Sequence, residues 1–454
     1  MGEGLHAAVC GRAVSGRLPG PRSVREQLRL ARAMQHEPHI ALLDFARTYG
    51  PVAQIGYRKY RYVLAFGVEA NEYVLQTNPT NFRWKEAFWP LVAIDGETAL
   101  VVSDGDDHKR RKAIVLPAFH RRRISSYFDV MIEESTRVIG SWRSGQTVDA
   151  YEDMRLAVRR IVLRCLFGNA FGDREQEFID HLEIPRDYVN RTPLQRLDNE
   201  WLFPPYRRAM RARRAMDAMV FDEISRRRVA QAPGEDVLGW LIEAQGSDGP
   251  GLTDQEVRDQ VISLIAAAYD TTSSAVGWIA MRLADDPALR AAVRAEVDAT
   301  TGGRRLTIEH LPQLTLTAGV VNEVLRVQPP AIVSVRHIVD PFELHGHTIP
   351  GGRLLMYSSY VSHMDPDHFP DPTAFKPTRW IEGHADHRPH HPYAYVPFGG
   401  GSRRCIGFAF ALQEMIVMTA LMAQIDFEPA YTEAPKPAGI ASMAPRGGVP
   451  IRIG

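Results

Sequence analysis

Cysteine is scarce in this chain of 454 residues, and the three that occur, Cys10, Cys165 and Cys405, are widely separated. Small disulfide-stabilised domains carry many closely spaced cysteines, so this pattern argues against a disulfide framework. It fits a reducing compartment, and we expect a soluble, cytoplasmic protein.

The chain also lacks an excess of charge of either sign. It carries 54 basic and 54 acidic side chains, which gives a formal net charge of zero. Nucleic-acid-binding domains usually have a clear basic excess. We therefore expect no nucleic-acid partner.

Long apolar runs, internal repeats and low-complexity linkers are missing as well. The first 17 residues contain several glycines and charged groups, without the apolar run of a signal peptide or a membrane span. We predict a polar, flexible leader over residues 1–17 and one large domain over residues 18–454. We expect this domain to be a monomer without a membrane span.

The pattern of apolar residues predicts a mostly helical protein with small β-sheets, an α+β fold. Helical periodicity dominates residues 106–299, and a further helix is predicted over residues 38–49. Strand-like alternation over residues 52–66 predicts a hairpin, and it returns over residues 337–360. A last hairpin is predicted over residues 437–453.

The most informative stretch is residues 398–407, which read Phe-Gly-Gly-Gly-Ser-Arg-Arg-Cys-Ile-Gly. The apolar residues 408–424 that follow predict a buried helix, so Cys405 lies near a helix N-terminus. The helix dipole and free N–H groups there favour a thiolate, Arg403 adds positive charge, and Phe398 could shield the sulfur. This pattern predicts an anionic metal ligand. The alternatives are a buried structural thiol and a zinc site, although no second cysteine or histidine stands at ligand spacing.

The residues Phe398, Arg403, Cys405 and Gly407 form a pattern that resembles the haem-binding loop of the cytochrome P-450 superfamily. The resemblance implies the fold of that family, a single large unit that encloses the haem. It also implies that Cys405 is the axial ligand of a haem b and that the other three residues contact this cofactor.

The longest predicted helix begins with a capping box at Thr253 and continues to about Ala284. In its middle, residues 266–272 read Ala-Ala-Ala-Tyr-Asp-Thr-Thr, which resembles the central helix of the same family. Ala268 stands where the family usually has glycine, so we expect a milder distortion of the helix. The alternative is that the polar residues here are ordinary helix surface.

The resemblance also assigns roles within this central helix. It implies that Ala267 lies against the haem and that Asp270 relays protons. Thr271 would hydrogen-bond the dioxygen. A peroxygenase or a haem-thiolate isomerase would not need the Asp270–Thr271 pair, so the pair argues against both.

Four basic residues are similar to those that hold the haem propionates in the family: His108, Lys112, Arg336 and Arg403. His108 and Lys112 stand four apart and share one helix face. The family usually has arginine at the place of Lys112, so neighbouring Arg111 is an alternative, although it projects about 100° away. For each of these residues the alternative is a solvated basic side chain.

The spacing of Glu323 and Arg326, followed by Arg379, resembles the buried Glu-Arg-Arg network of the family. Bidentate bonds in such a network order the core on the haem side. We expect a structural role and no catalytic one.

Two further basic clusters are present, over residues 120–123 and within residues 207–228. The first could dock an acidic electron donor, or it could be a solvated helix end. We interpret the second as solvated surface, with contact to a partner or a lipid head group as the alternative.

The resemblance implies a monooxygenase that uses dioxygen and two electrons, with a ferredoxin and an NAD(P)H-dependent ferredoxin reductase as partners. We expect a lipophilic small-molecule substrate, a fatty acid or a terpenoid or sterol-type compound, which is hydroxylated or epoxidised. The alternatives are a sterol or polyketide tailoring oxidase and a non-catalytic haem-thiolate sensor. The substrate would contact segments 82–100, 184–201, 262–271, 330–335 and 439–442, whose apolar residues are Phe88, Trp89, Leu91, Val92, Ile265, Ala267, Ile332, Val333 and Ile440.

Overall fold

The computed structural model describes residues 17–56, 61–189, 203–244, 251–439 and 442–454, apart from the side chains of Val189 and Arg121. Of the predicted leader, residues 1–16 lie outside the described residues.

Helices make up most of the described chain. The α-helices are α1 (Val24–His36), α2 (Pro38–Tyr49), α3 (Val68–Glu72), α4 (Trp89–Asp95), α5 (Gly105–Val115), α6 (Arg121–Ser126), α7 (Phe128–Ile139), α8 (Ala150–Phe167), α9 (Glu175–Val189), α10 (Pro204–Ala230), α11 (Val237–Glu243), α12 (Asp254–Asp285), α13 (Pro287–Thr301), α14 (Thr315–Val327), α15 (Ser359–His363) and α16 (Phe408–Ala423). A π-helical turn, Tyr73–Thr77, continues α3, and short 3-10 turns include Leu100–Val102, Pro377–Trp380 and Gly401–Arg403.

The strands are short and form small sheets. They are β1 (Val52–Ile55), β2 (Tyr62–Ala65), β3 (Phe82–Arg83), β4 (Thr147–Asp149), β5 (Ser334–Ile338), β6 (Phe342–Leu344), β7 (His347–Ile349), β8 (Leu354–Tyr357), β9 (Phe427–Pro429), β10 (Pro437–Ala438), β11 (Ala444–Pro445) and β12 (Pro450–Ile453).

The largest sheet has the order β1-β2-β8-β5-β3. In it β2 and β8 are parallel, with Tyr62 opposite Leu354, and the other pairs are antiparallel. A three-stranded sheet has the order β4-β12-β9, and β6 pairs with β7. The mostly α fold with small sheets is therefore confirmed, as are the helix predicted over residues 38–49 and the hairpin predicted over residues 52–66.

The predicted last hairpin over residues 437–453 is wrong in its second half. The strands β10 and β11 do pair, but β12 leaves them and pairs with β4 and β9. Two consecutive glycines in left-handed conformation, Gly447 and Gly448 with φ of 79° and 82°, redirect the chain between β11 and β12. A Cβ at Gly448 would clash with the Asp149 carboxylate at the end of β4, so this turn also brings β12 beside β4.

The long central helix α12 is confirmed. Its N-terminus has the predicted capping box, in which the Thr253 side chain accepts from the Glu256 N–H at 3.2 Å and the Glu256 carboxylate accepts from the Thr253 N–H at 3.0 Å. Its C-terminus meets Pro287, which opens α13. Most of its residues are buried, including Trp278, whose indole N–H donates to the Met443 carbonyl at 2.9 Å. The main hydrophobic core surrounds α12 and includes residues of α7, α8, α14 and α16.

The predicted Glu-Arg-Arg network is present and buried. Arg326 donates to both carboxylate oxygens of Glu323, at 2.9 and 2.7 Å, and Arg379 donates to the same carboxylate at 3.3 Å. The indole N–H of Trp380 adds a fourth bond at 2.9 Å. Since Glu323 and Arg326 are 0% exposed, this pairing offsets the cost of burying their charges.

The second basic cluster is not wholly a solvated surface. Arg227 is buried and donates to Glu223 at 2.5 Å and to both oxygens of Asp236 at 2.6 and 2.7 Å. These bonds join α10 to the start of α11, so Arg227 has a structural role. Arg207, Arg208 and Arg211 are exposed as expected.

A buried acid stands apart from these networks. Glu414 on α16 is 0% exposed, and neither carboxyl oxygen has a hydrogen-bond partner among the described residues. Burial raises the pKa of this carboxyl well above its usual range. At neutral pH the folded protein therefore favours a protonated Glu414, whereas the unfolded chain has already lost that proton.

We predict that Glu414→Gln stabilises the protein, and more so as the pH rises. The raised pKa means that wild-type stability falls above the ordinary carboxyl pKa, by up to about 1.4 kcal/mol per pH unit for one proton. The gain should be measured by denaturant unfolding at pH 5 and pH 8 and should be larger at pH 8. The control is Glu382→Gln, since Glu382 is exposed. A gain that does not change with pH would contradict the assignment.

Candidate functional site

The cysteine loop is a tight backbone structure. The Cys405 N–H donates to the Phe398 carbonyl at 2.9 Å, and the Gly399 N–H donates to the Val396 carbonyl at 3.0 Å. Gly401 has a φ of 58°, and a Cβ there would lie 1.9 Å from the Leu75 carbonyl oxygen. The loop can therefore approach Leu75, in the π-helical turn after α3, only with glycine at this position.

The side chain of Cys405 is exposed, although many protein atoms surround its thiol. Its surface is accessible, yet burial is the largest influence on its pKa. From these two properties we infer that the sulfur opens into a cavity walled by protein. The predicted helix at residues 408–424 is confirmed as α16, and Gly407, at its N-cap position, donates a backbone hydrogen bond to the sulfur.

The local groups act on Cys405 in the predicted direction, since the Gly407 N–H, Arg404 and Lys112 all lower the pKa of its thiol, but the sequence did not show how strongly burial opposes them. Burial raises the pKa of Cys405, and this outweighs the lowering by the Gly407 N–H, Arg404 and Lys112. A bound cation is then needed to stabilise the thiolate in this cavity. Phe398 packs edge-on against Phe408, with ring centroids 6.3 Å apart.

Of the four predicted propionate-binding residues, Lys112, Arg336 and Arg403 contact the cysteine loop, the start of α5 or the ring of Trp84. Lys112 donates to the Ser402 carbonyl. Arg403 donates to the Ser103 carbonyl at 2.8 Å and to Asp104 at 2.6 Å. Arg336 lies 3.6 Å from the ring centre of Trp84, and Arg403 lies 5.2 Å from it.

The like charges of this group perturb one another. Burial, followed by Arg403 and Lys112, lowers the pKa of His108 to about 4. Burial also lowers the pKa of Arg403 to about 10, with Asp104 opposing and Arg336 adding to the effect. Carboxylates placed among Lys112, Arg336 and Arg403 would stabilise the charges of these cations, whereas His108 is neutral near neutral pH.

Arg111 does not replace Lys112. It is buried and donates to Glu256 at 3.0 Å and to Ser103 at 2.9 Å, which joins α5 to the start of α12. The structure therefore favours Lys112, whose amine reaches the residue next to Arg403.

The middle of α12 contains three alcohols that bond back to the preceding turn. Thr271 donates to the Ala267 carbonyl at 2.7 Å, Ser273 to Tyr269 at 2.6 Å and Ser274 to Asp270 at 2.8 Å. Such bonds bend helices slightly. The helix is nevertheless continuous through this region, as the alanine at position 268 suggested. Ala267 is exposed and Thr271 half-exposed in the middle of this mostly buried helix, and we infer that both face a cavity.

Asp270 is held by a partner that the sequence did not indicate. Its carboxylate accepts from Arg186 of α9 at 3.0 Å. Burial raises the pKa of Asp270, and Arg186 and then Arg155 oppose this. Arg186 and Arg155 also lie over the Tyr269 ring, at 5.3 and 4.9 Å from its centre. No local spacing signals this contact, because 84 residues separate its members.

The predicted substrate segments are only partly supported. Ile265 and Ile332 are 2% and 0% exposed within the hydrophobic core, so they do not line an open cavity. Trp89 is 58% exposed at the start of α4. Residues 190–201 and 440–441 lie outside the described residues.

The residues present fit a haem. The site offers one cysteine sulfur beside a cavity and a separate cluster of cations, which matches a metal with an anionic sulfur ligand and two propionates. Within the described chain, no group of three or more His, Cys, Asp or Glu side chains is arranged to hold a metal ion. In the same part of the chain, no helix is both long and apolar enough to cross a membrane.

We predict that Gly401→Ala disrupts the cysteine loop. The new methyl group must displace the Leu75 backbone, in addition to the strain of a left-handed alanine, which costs about 1–2 kcal/mol. The displacement should cost about 1–3 kcal/mol more, measured by denaturant unfolding, and haem content should fall. Gly383→Ala is the matched control, because Gly383 has a φ of 82° and open space around it. Equal losses in both variants would show that the clash with Leu75 is not real.

The similarity to known proteins agrees with the haem site that the geometry indicates. Residues 19–444 match the family model of cytochrome P450. The putative cytochrome P450 139 of Mycobacterium tuberculosis is 36% identical over 417 residues, which cover 91% of this chain and 97% of that protein. The cyclooctat-9-en-7-ol 5-monooxygenase of Streptomyces melanosporofaciens is 34% identical over 329 residues, which cover 72% of this chain and 71% of that protein.

Solved structures are similar in fold. The retinoic-acid-bound cyanobacterial CYP120A1 has a TM-score of 0.81 and 26% identity, with 92% of this chain and 96% of that chain covered. The cytochrome P450DA haem domain has a TM-score of 0.87 and 23% identity, with 97% of each chain covered, and it supports the fold alone. The family match and the curated relatives together show that this chain belongs to the cytochrome P450 family and is a haem-dependent monooxygenase.

Proposed function

We propose that the protein hydroxylates or epoxidises a lipophilic small molecule, a terpenoid or a fatty acid, with haem b as cofactor and the Cys405 sulfur as the group that would hold its iron. The observation that carries the proposal is the accessible thiol of Cys405, whose pKa is lowered by the nearby cations Arg404 and Lys112 although burial raises it. The overall reaction converts R–H, dioxygen, two electrons and two protons into R–OH and water.

A haem with a cysteinate ligand supplies the oxidising chemistry by favouring cleavage of an O–O bond. The protein holds that ligand in place through the Phe398–Cys405 and Gly407 backbone bonds. His108, Lys112, Arg336 and Arg403 would bind the two propionates, whose charges would relieve the repulsion among Lys112 and the two arginines.

Asp270 and Thr271 are the proposed proton-handling residues. The raised pKa of Asp270 lets this carboxyl accept and release a proton closer to neutral pH than an exposed aspartate does. The ion pair with Arg186 connects Asp270 to α9, and both side chains of the pair are half-buried. The next residue, Thr271, donates its hydroxyl to the Ala267 carbonyl. Its oxygen can still accept a hydrogen bond from a bound molecule.

We propose a ferredoxin, reduced by an NAD(P)H-dependent reductase, as the electron donor. Exposed Arg122 on α6 and Arg404 in the cysteine loop would attract an acidic partner. Gln413 of α16 donates to the Ile124 carbonyl at 3.3 Å, which places α6 beside the helix that follows Cys405. Arg123 instead packs on the Trp240 ring at 3.3 Å and is less available.

The substrate class rests on the relatives and on the apolar composition of the predicted substrate segments. One relative is named for oxidising cyclooctat-9-en-7-ol, and a structural neighbour holds retinoic acid. Both compounds are mostly hydrocarbon with one oxygen-containing group. The segments that the resemblance assigns to the substrate are rich in apolar residues, and an apolar site with few polar groups suits such molecules.

The substrate proposal is tested by titrating the haem-loaded protein with terpenoids, fatty acids, sterols and macrolides while the Soret band is recorded. A blue shift with terpenoids or fatty acids, followed by an oxygenated product when ferredoxin and reductase are added, is the expected result. A shift confined to sterols or macrolides would overturn the substrate class. No shift with any free compound would count against free lipophiles and favour a carrier-tethered substrate.

We predict that Asp270→Asn lowers ferredoxin-driven turnover about 100-fold, the usual scale for a lost proton-transfer group, while peroxide-driven turnover stays unchanged. The control is Asp187→Asn. Asp187 also contacts Arg186, at 3.2 Å, but its side chain is 69% exposed. Product formation should be measured with both oxidants. Equal losses in the two variants would assign the effect to the ion pairs of Arg186 and not to a proton relay.

A further inference from the structure

His363 joins two parts of the chain that lie on the haem side. It is the last residue of α15, and its ring is 0% exposed. The Nδ1 atom lies 3.1 Å from the Arg326 carbonyl oxygen of α14. The Nε2 atom lies 3.0 Å from the Val396 backbone nitrogen. One imidazole thus bridges α14 and the segment that enters the cysteine loop.

The partners determine which nitrogen carries the hydrogen. The Arg326 carbonyl can only accept and the Val396 N–H can only donate, so Nδ1 carries the hydrogen and Nε2 accepts. Burial, followed by the charge of Arg326, lowers the pKa of His363 to about 3. The ring therefore stays neutral, and the bridge is present throughout the working pH range.

The bridge continues to Cys405 through the backbone. Val396 accepts from the Gly399 N–H at 3.0 Å, and Phe398 accepts from the Cys405 N–H at 2.9 Å. A shift of Val396 would therefore move the turn that presents the Cys405 sulfur. On the other side, Arg326 belongs to the Glu323 network and also donates to the His363 carbonyl at 3.0 Å. The α14 end of the bridge is therefore fixed by a fully buried network of hydrogen bonds.

We propose that His363 is a positioning residue for Cys405, which holds the cysteine loop in register with α14 through the Val396 N–H. The proposal rests on the proposed role of Cys405 as the haem ligand. It assigns to the Nε2 bond a function that the Nδ1 bond alone cannot perform, since only Nε2 contacts the loop.

A neighbouring contact offers a comparison. Tyr395, whose ring lies 5.2 Å from that of His363, donates its hydroxyl to the Asn322 backbone carbonyl at 3.1 Å and to the Asn322 side chain at 3.0 Å. This contact also ties the segment to α14, but through a side chain and without a bond to the Val396 backbone. Its removal leaves the His363 bridge intact.

Two variants separate the two ends of the ring. In His363→Gln, the side-chain oxygen reaches the place of Nε2 and can accept from Val396, while the bond to Arg326 is lost. In His363→Asn, the amide reaches only the place of Nδ1, so Arg326 keeps its donor and Val396 loses its acceptor. Each variant loses one buried hydrogen bond, so their losses of stability should be similar.

The readout is the rate at which the ferrous carbonyl complex of the haem-loaded protein loses its thiolate-type spectrum at fixed pH. We expect this rate to rise about tenfold in H363N, the change that corresponds to one lost buried hydrogen bond, and to stay near wild type in H363Q and in Tyr395→Phe. Unfolding of each variant in denaturant is recorded in parallel.

Equal rates in H363N and wild type, or a loss in H363Q as large as in H363N, would overturn the proposal. If H363N does not fold, H363Q and Y395F still decide, because a faster loss in either contradicts a role carried by Nε2. A wild-type protein without a thiolate-type spectrum would instead sink the ligand role of Cys405, so the two failures are distinguishable.

Discussion

The carboxylate of Glu323 gathers three separate stretches of chain, and the haem side of the molecule is assembled around it. Arg326 reaches from this carboxylate to the backbone carbonyls of His363, Pro372 and Ala374, at 3.0, 2.7 and 3.1 Å. Arg379 and Trp380 bond the same carboxylate. A buried charge is stable only when its partners are all in place. The network therefore sets the path of the chain from α15 to the cysteine loop.

The cofactor site shows the opposite situation, in which the protein alone is electrostatically incomplete. Burial disfavours the Cys405 thiolate, and it also disfavours the charged forms of His108 and Arg403, which repel their basic neighbours. A haem would supply a cation to the sulfur and carboxylates to the basic side chains. We infer that binding of the cofactor and stability of the folded site reinforce each other, since a ligand that binds only the folded state stabilises it.

Local patterns predicted those features that depend on neighbours in the sequence. The capping box of α12, the hairpin of β1 and β2 and the close spacing of Glu323 and Arg326 need only a few residues to be recognised. Arg379 was predicted as the third member of this network from the order in which the motifs follow one another along the chain. The sequence could not predict the contacts of Asp270 with Arg186, of His363 with Val396 or of β12 with β4, because tertiary packing alone brings these partners together. The net effect on the Cys405 pKa was missed for the same reason, since burial is set by the whole fold.

The central claim is that Cys405 is the sulfur ligand of the haem iron. X-ray absorption at the iron edge of the purified, haem-loaded protein tests it most directly. The account predicts one sulfur neighbour of iron in the wild type and in Cys165→Ala, whose cysteine is buried in the core, and no sulfur neighbour in Cys405→Ala. An iron with only nitrogen and oxygen neighbours in the wild type, or a sulfur that persists in Cys405→Ala, would contradict it.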